Sequence, residues 1–195
     1  MRNTEVVTGK ARFSYLNVFT PKANNPGDEP KYSVTLLIPK SDTTTLQKIK
    51  AAMAAARETF VARNGANSLP AQPVHTLKDG DGIRANGEEF GEECKGCWVI
   101  AVNAKADRKP GVYDAFRNDI TDPNELKSGD FGRAHINFYG YSRNGKKGIS
   151  AQLLGVQKLA EGEALGGSVA TASAFDDGYA GAESEGDVNG GGWMQ

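Results

Sequence analysis

Phe131-Gly132-Arg133-Ala134-His135-Ile136-Asn137-Phe138-Tyr139-Gly140-Tyr141-Ser142-Arg143-Asn144-Gly145-Lys146-Lys147-Gly148-Ile149-Ser150-Ala151 reads as a β-hairpin. Asn144-Gly145 is the strongest short-range hairpin signal, because both central residues of the favoured turn need positive φ. The run before the turn alternates. Ala134, Ile136 and Phe138 point one way, as a core requires. Arg133, His135, Asn137, Tyr139, Tyr141 and Arg143 point the other way. That second face interleaves aromatic rings with cations, the composition of a surface that stacks on bases and neutralises phosphates. Tyr and Arg also suit any half-buried strand, so the alternation alone leaves both readings open.

The same period extends outward. Residues 6–19 read as a long first strand with Ala11, Phe13 and Tyr15 inward and Lys10 and Arg12 on the opposite face. Residues 21–30 are turn chemistry. Tyr32, Val34, Leu36 and Ile38 form the next strand, closed by Pro39, with Lys31, Ser33 and Thr35 facing away. Over residues 42–63, Leu46, Ile49, Met53, Ala56 and Phe60 recur at three- and four-residue spacing, which predicts a helix packed on a core. Asp42 and a Thr44/Gln47 capping box compete for its start, and Asn64-Gly65 ends it. Trp98, Ile100, Val102 and Ala104 make a further strand, and a last one follows the hairpin turn to residue 159. Short strands, one helix and Gly-rich turns fit a small β-barrel, and strand count alone permits a sandwich.

Residues 66–97 are the least regular stretch. Their acids, Glu88, Glu89, Glu92 and Glu93, lack the ligand spacing of an EF-hand. Cys94-Lys95-Gly96-Cys97 is a lone C-x-x-C. A structural zinc site needs four ligands, and His75 and His135 are not spaced to complete one. No nucleophile elbow, P-loop or His-based constellation is present, so the chain reads as a non-enzyme with no metal and no cofactor.

Charge is divided along the chain. The total is −1, but residues 161–195 hold seven acids and no Lys or Arg, which leaves 17 acids against 23 basic residues before them. A basic body with an acidic tail suits a polyanionic partner and an internal competitor for its site. The tail is rich in Gly, Ala and Ser and has no hydrophobic period, so the reading is an ordered domain over 1–160 and a disordered acidic tail over 161–195. The chain shows no signal-peptide core and no apolar run of membrane-spanning length.

Three motifs in order carry a resemblance. They are residues 30–40 (Pro30-Lys31-Tyr32-Ser33-Val34), residues 108–115 (Arg108-Lys109-Pro110-Gly111-Val112-Tyr113-Asp114-Ala115), and the hairpin with its closing Leu153-x-x-Val156-Gln157-Lys158. Together they resemble a phage-encoded single-stranded-DNA-binding family, over about residues 6–159. The resemblance implies an OB-fold-like five-stranded barrel with an appended helix, ssDNA binding in phage DNA replication or recombination, and no catalysis. Its place of action would be the cytoplasm of an infected bacterial host.

On such a barrel one face carries a groove. Lys10, Arg12, Lys105, Arg108, Lys109, Arg117, Arg133, Arg143, Lys146 and Lys147 are the candidate phosphate contacts. Trp98, Tyr113, Tyr139 and Tyr141 are the candidate stacking residues, although Trp98 alternates with the apolar set. Arg108, Lys109, Arg117, Tyr113 and Phe116 put three cations and two aromatics on one loop, suited to a clamp. Asp176, Asp177, Glu183, Glu185, Asp187 and Trp193 are the candidate contacts with replication or recombination proteins, by resemblance to ssDNA-binding proteins whose acidic tail tip docks on partners. The tail would also occupy the groove when DNA is absent. Oligomeric state is left open, a homodimer included. A phage-particle assembly role without nucleic acid is the competing expectation.

Overall fold

The computed structural model describes residues 3–23, 25–143 and 145–165. Nine strands and one α-helix are found among them: β1 (Glu5–Val7), β2 (Ala11–Lys22), β3 (Lys31–Pro39), α1 (Thr43–Asn64), β4 (Val74–His75), β5 (Leu77–Asp79), β6 (Cys97–Lys105), β7 (Gly111–Tyr113), β8 (Phe131–Arg143) and β9 (Lys146–Ala160). Five of the strands close into a ring in the order β8-β2-β3-β6-β9. The β8–β9 hairpin ladder supplies the long antiparallel side, and a parallel pairing of Asn103 with Gln152 joins β6 to β9. Strand alternation fills the ring: Phe13, Leu36, Ile100, Ile136, Phe138 and Leu153 are all essentially inaccessible. The mainly-β, OB-fold-like architecture expected from the sequence is therefore the one adopted. Asn144 of the hairpin turn lies outside the described residues, and Gly145 beside it has φ 74°.

The expected long first strand is two strands. β1 pairs with β8, and β2 pairs with β3 and, at its start, with β8. The break falls at Gly9, where a Cβ would lie 2.2 Å from Asp42 Oδ2 and where the backbone N–H donates to Thr45 Oγ1 at 2.8 Å. A side chain at this position would collide with the start of the helix. Tyr15 is a second correction. It does not continue the inward set of Ala11 and Phe13, because the β2–β3 register shifts between Ser14 and Asn17. Ser14 is buried in its place, and Tyr15 is 67% exposed.

Asp42, not the Thr44/Gln47 box, caps α1, accepting from Thr45 N at 2.9 Å. Ile49, Ala52 and Ala56 are buried, and Leu46, Met53 and Phe60 pack on the core beside them. Phe60 lies against the backbone of β8 at Gly140, where a Cβ would sit 2.5 Å from its ring. Removing the cap with Asp42→Ala should cost about 1 kcal/mol. For a domain of this size that is a Tm lower by about 2–4 °C, readable by thermal unfolding.

Residues just after β9 are bonded to the body. Gly162 N donates to Asp130 Oδ1, Arg12 Nη2 donates to Glu163 O, and Leu165 N donates to Ser128 O. Leu165 packs with Phe90 and Cys97 on a small cluster of Leu37, Cys94 and Val99. Cys94 and Cys97 are free thiols whose pKa values are raised, chiefly by burial. Among the described residues no group of three His, Cys, Asp or Glu is placed to hold a metal, and no helix is long and apolar enough to cross a membrane.

Candidate nucleic-acid interface

β8 presents Arg133, His135, Asn137 and Tyr139 outward while Ala134, Ile136 and Phe138 are buried. Pairing then extends that face across the ring. Asn137 is opposite Gln152, Gln152 is opposite Asn103, and Asn103 is opposite Ser33. A polar band of amides and a hydroxyl therefore crosses four strands, with charged and aromatic side chains on both sides.

Four adjoining hollows turn this band into one groove. The first is lined by Tyr113, Arg117, Arg133, His135 and Gln157. It meets a second, with Arg108, Lys109, Asn137 and Gln152, through the shared Leu154. The third holds Asn103, Lys105 and Tyr139 and shares Arg108, Asn137 and Gln152 with the second. Asn103 passes it on to the fourth, which holds Tyr15, Asn17, Lys22, Lys31, Ser33 and Arg143. The run from Arg117 to Lys22 is continuous over the surface.

Eight of the residues expected from the sequence line this groove: Lys105, Arg108, Lys109, Tyr113, Arg117, Arg133, Tyr139 and Arg143. Arg133 is oriented by its Nε, which donates to Thr8 O at 3.1 Å. Tyr139 is 40% exposed and Tyr113 39%, enough to offer a ring face. Tyr113 leads into a turn held by Asp114, whose carboxylate accepts from Phe116 N, Asn118 N and Asn118 Nδ2, each at 2.8 Å. Those bonds, the Asn118 side chain first, hold its pKa below the usual carboxylate value. The turn is thus favoured above that value, and it should loosen only as pH falls through the lowered pKa, which amide NMR of residues 114–118 would follow.

The remaining expected residues lie elsewhere. Lys10 and Arg12 sit over the Phe131 ring at 4.8 and 5.7 Å, and Arg12 also donates through Nε to Gly129 O. Arg12 is committed to the root of the C-terminal segment. Trp98 shares the inward face of β6 with Ile100 and carries Lys40 Nζ 5.3 Å over its ring. Lys40 is in turn paired with Asp79 and Asp81. Tyr141 lies across Gly148 of the partner strand, whose added Cβ would be 3.1 Å from the ring. Lys146 and Lys147 are exposed opposite Arg143 and Ser142, beyond the fourth hollow. Asp176, Asp177, Glu183, Glu185, Asp187 and Trp193 lie outside the described residues.

The groove also contains residues that pattern reading did not assign to it. Lys31 and Ser33 were legible as the outward face of β3; Asn103 and Gln152 were not singled out. Nothing in the sequence marks the bulge that turns Tyr15 outward.

Comparison with known proteins agrees with this surface and fold. A profile of the family described as the Enterobacter phage Enc34 ssDNA-binding protein matches residues 4–188. The chain belongs to the Enc34 ssDNA-binding protein family. That family is one of binders, not enzymes. The single-stranded DNA-binding protein of bacteriophage Enc34, solved in complex with ssDNA, is 28% identical with a TM-score of 0.68, over 85% of this chain and 91% of that one. A second structure of the single-stranded DNA-binding protein of bacteriophage Enc34 is 28% identical with a TM-score of 0.69, over 88% of this chain and 89% of that one. The single-stranded DNA binding protein gp2.5 of bacteriophage T7 shares the fold at 12% identity and a TM-score of 0.58, over 82% and 93%. A curated relative, putative protein p50 of Acyrthosiphon pisum secondary endosymbiont phage 1, is 30% identical over 183 residues, 89% of this chain and 93% of its own length.

Proposed function

We propose that the chain binds single-stranded DNA along the groove, tolerates most sequences, and serves phage DNA replication or recombination in the cytoplasm of the infected host. One observation carries the reading: basic side chains, which outnumber the lining acids Glu5, Asp28 and Glu29, and exposed tyrosines line a continuous track on the face of a fold shared with a protein solved in complex with ssDNA. Among the described residues, Lys105, Arg108, Lys109, Arg117 and Arg143 have no acidic partner within 4.0 Å, so their charge is available to phosphates. Exposed ring faces accept any base, and a duplex hides its base faces, so single strand is the preferred form.

The acidic segment after residue 165 is proposed to compete with DNA for the groove and to carry the contacts with replication or recombination proteins. Its charge supports this, as does its point of departure: Leu165 packs beside Leu37 and Val99, on the same outer face of β3 and β6 that carries Ser33 and Asn103. The test is a fluorescence-anisotropy titration of labelled oligothymidylate and duplex at low and high salt. It uses the full chain and a chain ending at Leu165, which keeps the segment bonded to Arg12 and Ser128. Saturable single-strand binding that weakens with salt and tightens on truncation is the expected result. Equal binding by the two chains removes the competing tail. No saturable binding by either removes the DNA reading and favours an assembly role.

A further inference from the structure

Among the described residues, two that are not glycine have positive φ: Tyr15 at 47° and Arg117 at 73°. Left-handed backbone is strained for residues with a bulky side chain and persists only where the surroundings over-determine it. The two stand at opposite ends of the groove. Tyr15 lines the hollow of Lys31 and Arg143, and Arg117 lines that of Tyr113 and Arg133. Each end also carries an aromatic ring that the core does not use. Tyr15 is 67% exposed, and Phe116, the neighbour of Arg117, is 83% exposed.

Both ends are fixed by hydrogen bonds. At Tyr15, the next N–H donates to Ser128 Oγ at 3.0 Å and Asn17 Nδ2 donates to Tyr15 O at 3.2 Å. At the other end, the Asp114 carboxylate gathers the turn, and Gln157 Nε2 ties Asp114 O and Ala115 O to β9. Gln157 lines the same hollow as Arg117, the residue that follows Phe116. A turn that served only to reverse the chain would be easier with Gly or Asn in the left-handed position. Here that position holds a cation, preceded by an exposed phenyl ring.

We propose that Tyr15 and Phe116 are end posts of the single-strand track. Each ring stacks on a base, and Arg117 is held in a strained backbone so that its guanidinium meets the adjoining phosphate. This rests on the ssDNA reading above. The backbone at both posts is fixed before DNA arrives, so only the ring rotamers are ordered at the moment of binding.

The experiment compares the full chain with Tyr15→Asn, Phe116→Ala and Arg117→Gly, using oligothymidylate of about 30 nucleotides, longer than the ~4–16 that one OB fold covers. Tyr15→Asn keeps a residue that tolerates left-handed backbone. Tyr15→Asn and Phe116→Ala should each weaken binding about 5- to 160-fold with Tm unchanged. Arg117→Gly should weaken binding while Tm stays level or rises by up to ~4 °C, a combination that a purely structural role does not produce. A Phe116→Trp reporter should be quenched saturably on titration. Binding within twofold of the parent for both ring variants at unchanged Tm overturns the proposal and leaves Phe116 for a protein contact. No binding by the parent chain overturns the ssDNA reading and this proposal together.

Discussion

Asp130→Ala should destabilise the domain by about 3 kcal/mol, the range for removing one partner of a buried ion pair. At about 2–4 °C per kcal/mol for a domain of this size, Tm should fall by roughly 6–12 °C. Asp130 is fully buried just before β8. Its carboxylate accepts from Lys127 N and Gly162 N, and Lys158 Nζ lies 3.3 Å away. Alanine leaves two backbone donors unpaired and removes one of the partners of a lysine whose side chain is only 18% exposed. The cost stays at the low end because Lys158 keeps Glu125 O and Glu161. The same change frees Gly162, so residues 161–165 should gain hydrogen exchange before the ring does. Asp130→Asn keeps the shape and one acceptor and should lose less. A Tm within 2 °C of the parent for the alanine variant would show that this network holds little of the fold.

Asp130 also shows what pattern reading reaches and what it misses. Alternation in β3, β6 and β8 and the helical period of α1 were legible, because a closed ring buries one face of each strand and leaves the other to solvent. Arg133, Tyr139, Arg143 and Lys105 followed from that outward face, whereas Arg108, Lys109, Tyr113 and Arg117 followed from the composition of one loop and the motif it carries. Arg12 did not, because on the strand it is indistinguishable from a phosphate contact. Only the folded chain brings Gly129 and Glu163 to its guanidinium. Tyr15 was lost to a register shift, which alternation cannot foresee. Trp98 followed its apolar alternation, as the pattern itself indicated, and pairs with Lys40 instead of facing the groove. Residues 161–165 looked like tail because four polar or small residues and a single Leu165 have no period. What orders them is a carboxylate and a guanidinium distant in sequence.

Removing Lys105, Arg108 and Lys109 together should have the largest effect on DNA binding. The three lie on one end of β6 and the turn that follows it, in the middle of the groove, and are exposed without acidic partners among the described residues. Each phosphate that a cation neutralises on a single strand contributes about 0.7 to the slope of log affinity against log salt. The triple alanine variant should therefore lower that slope by about 2 and weaken binding at 0.1 M salt roughly 100-fold. At 1 M salt the parent and the variant should converge, because the lost term is counterion release and the stacking rings remain. Stability should change little, since among the described residues none of the three side chains makes a hydrogen bond to the ring. Anisotropy titrations across the salt range, with thermal unfolding of each protein, separate the outcomes. An unchanged slope would take the strand off the middle of the groove. An equal loss at every salt concentration would mean that the variant had altered the ring surface and not only its charge. A loss confined to low salt is the signature of phosphates lying along Lys105, Arg108 and Lys109.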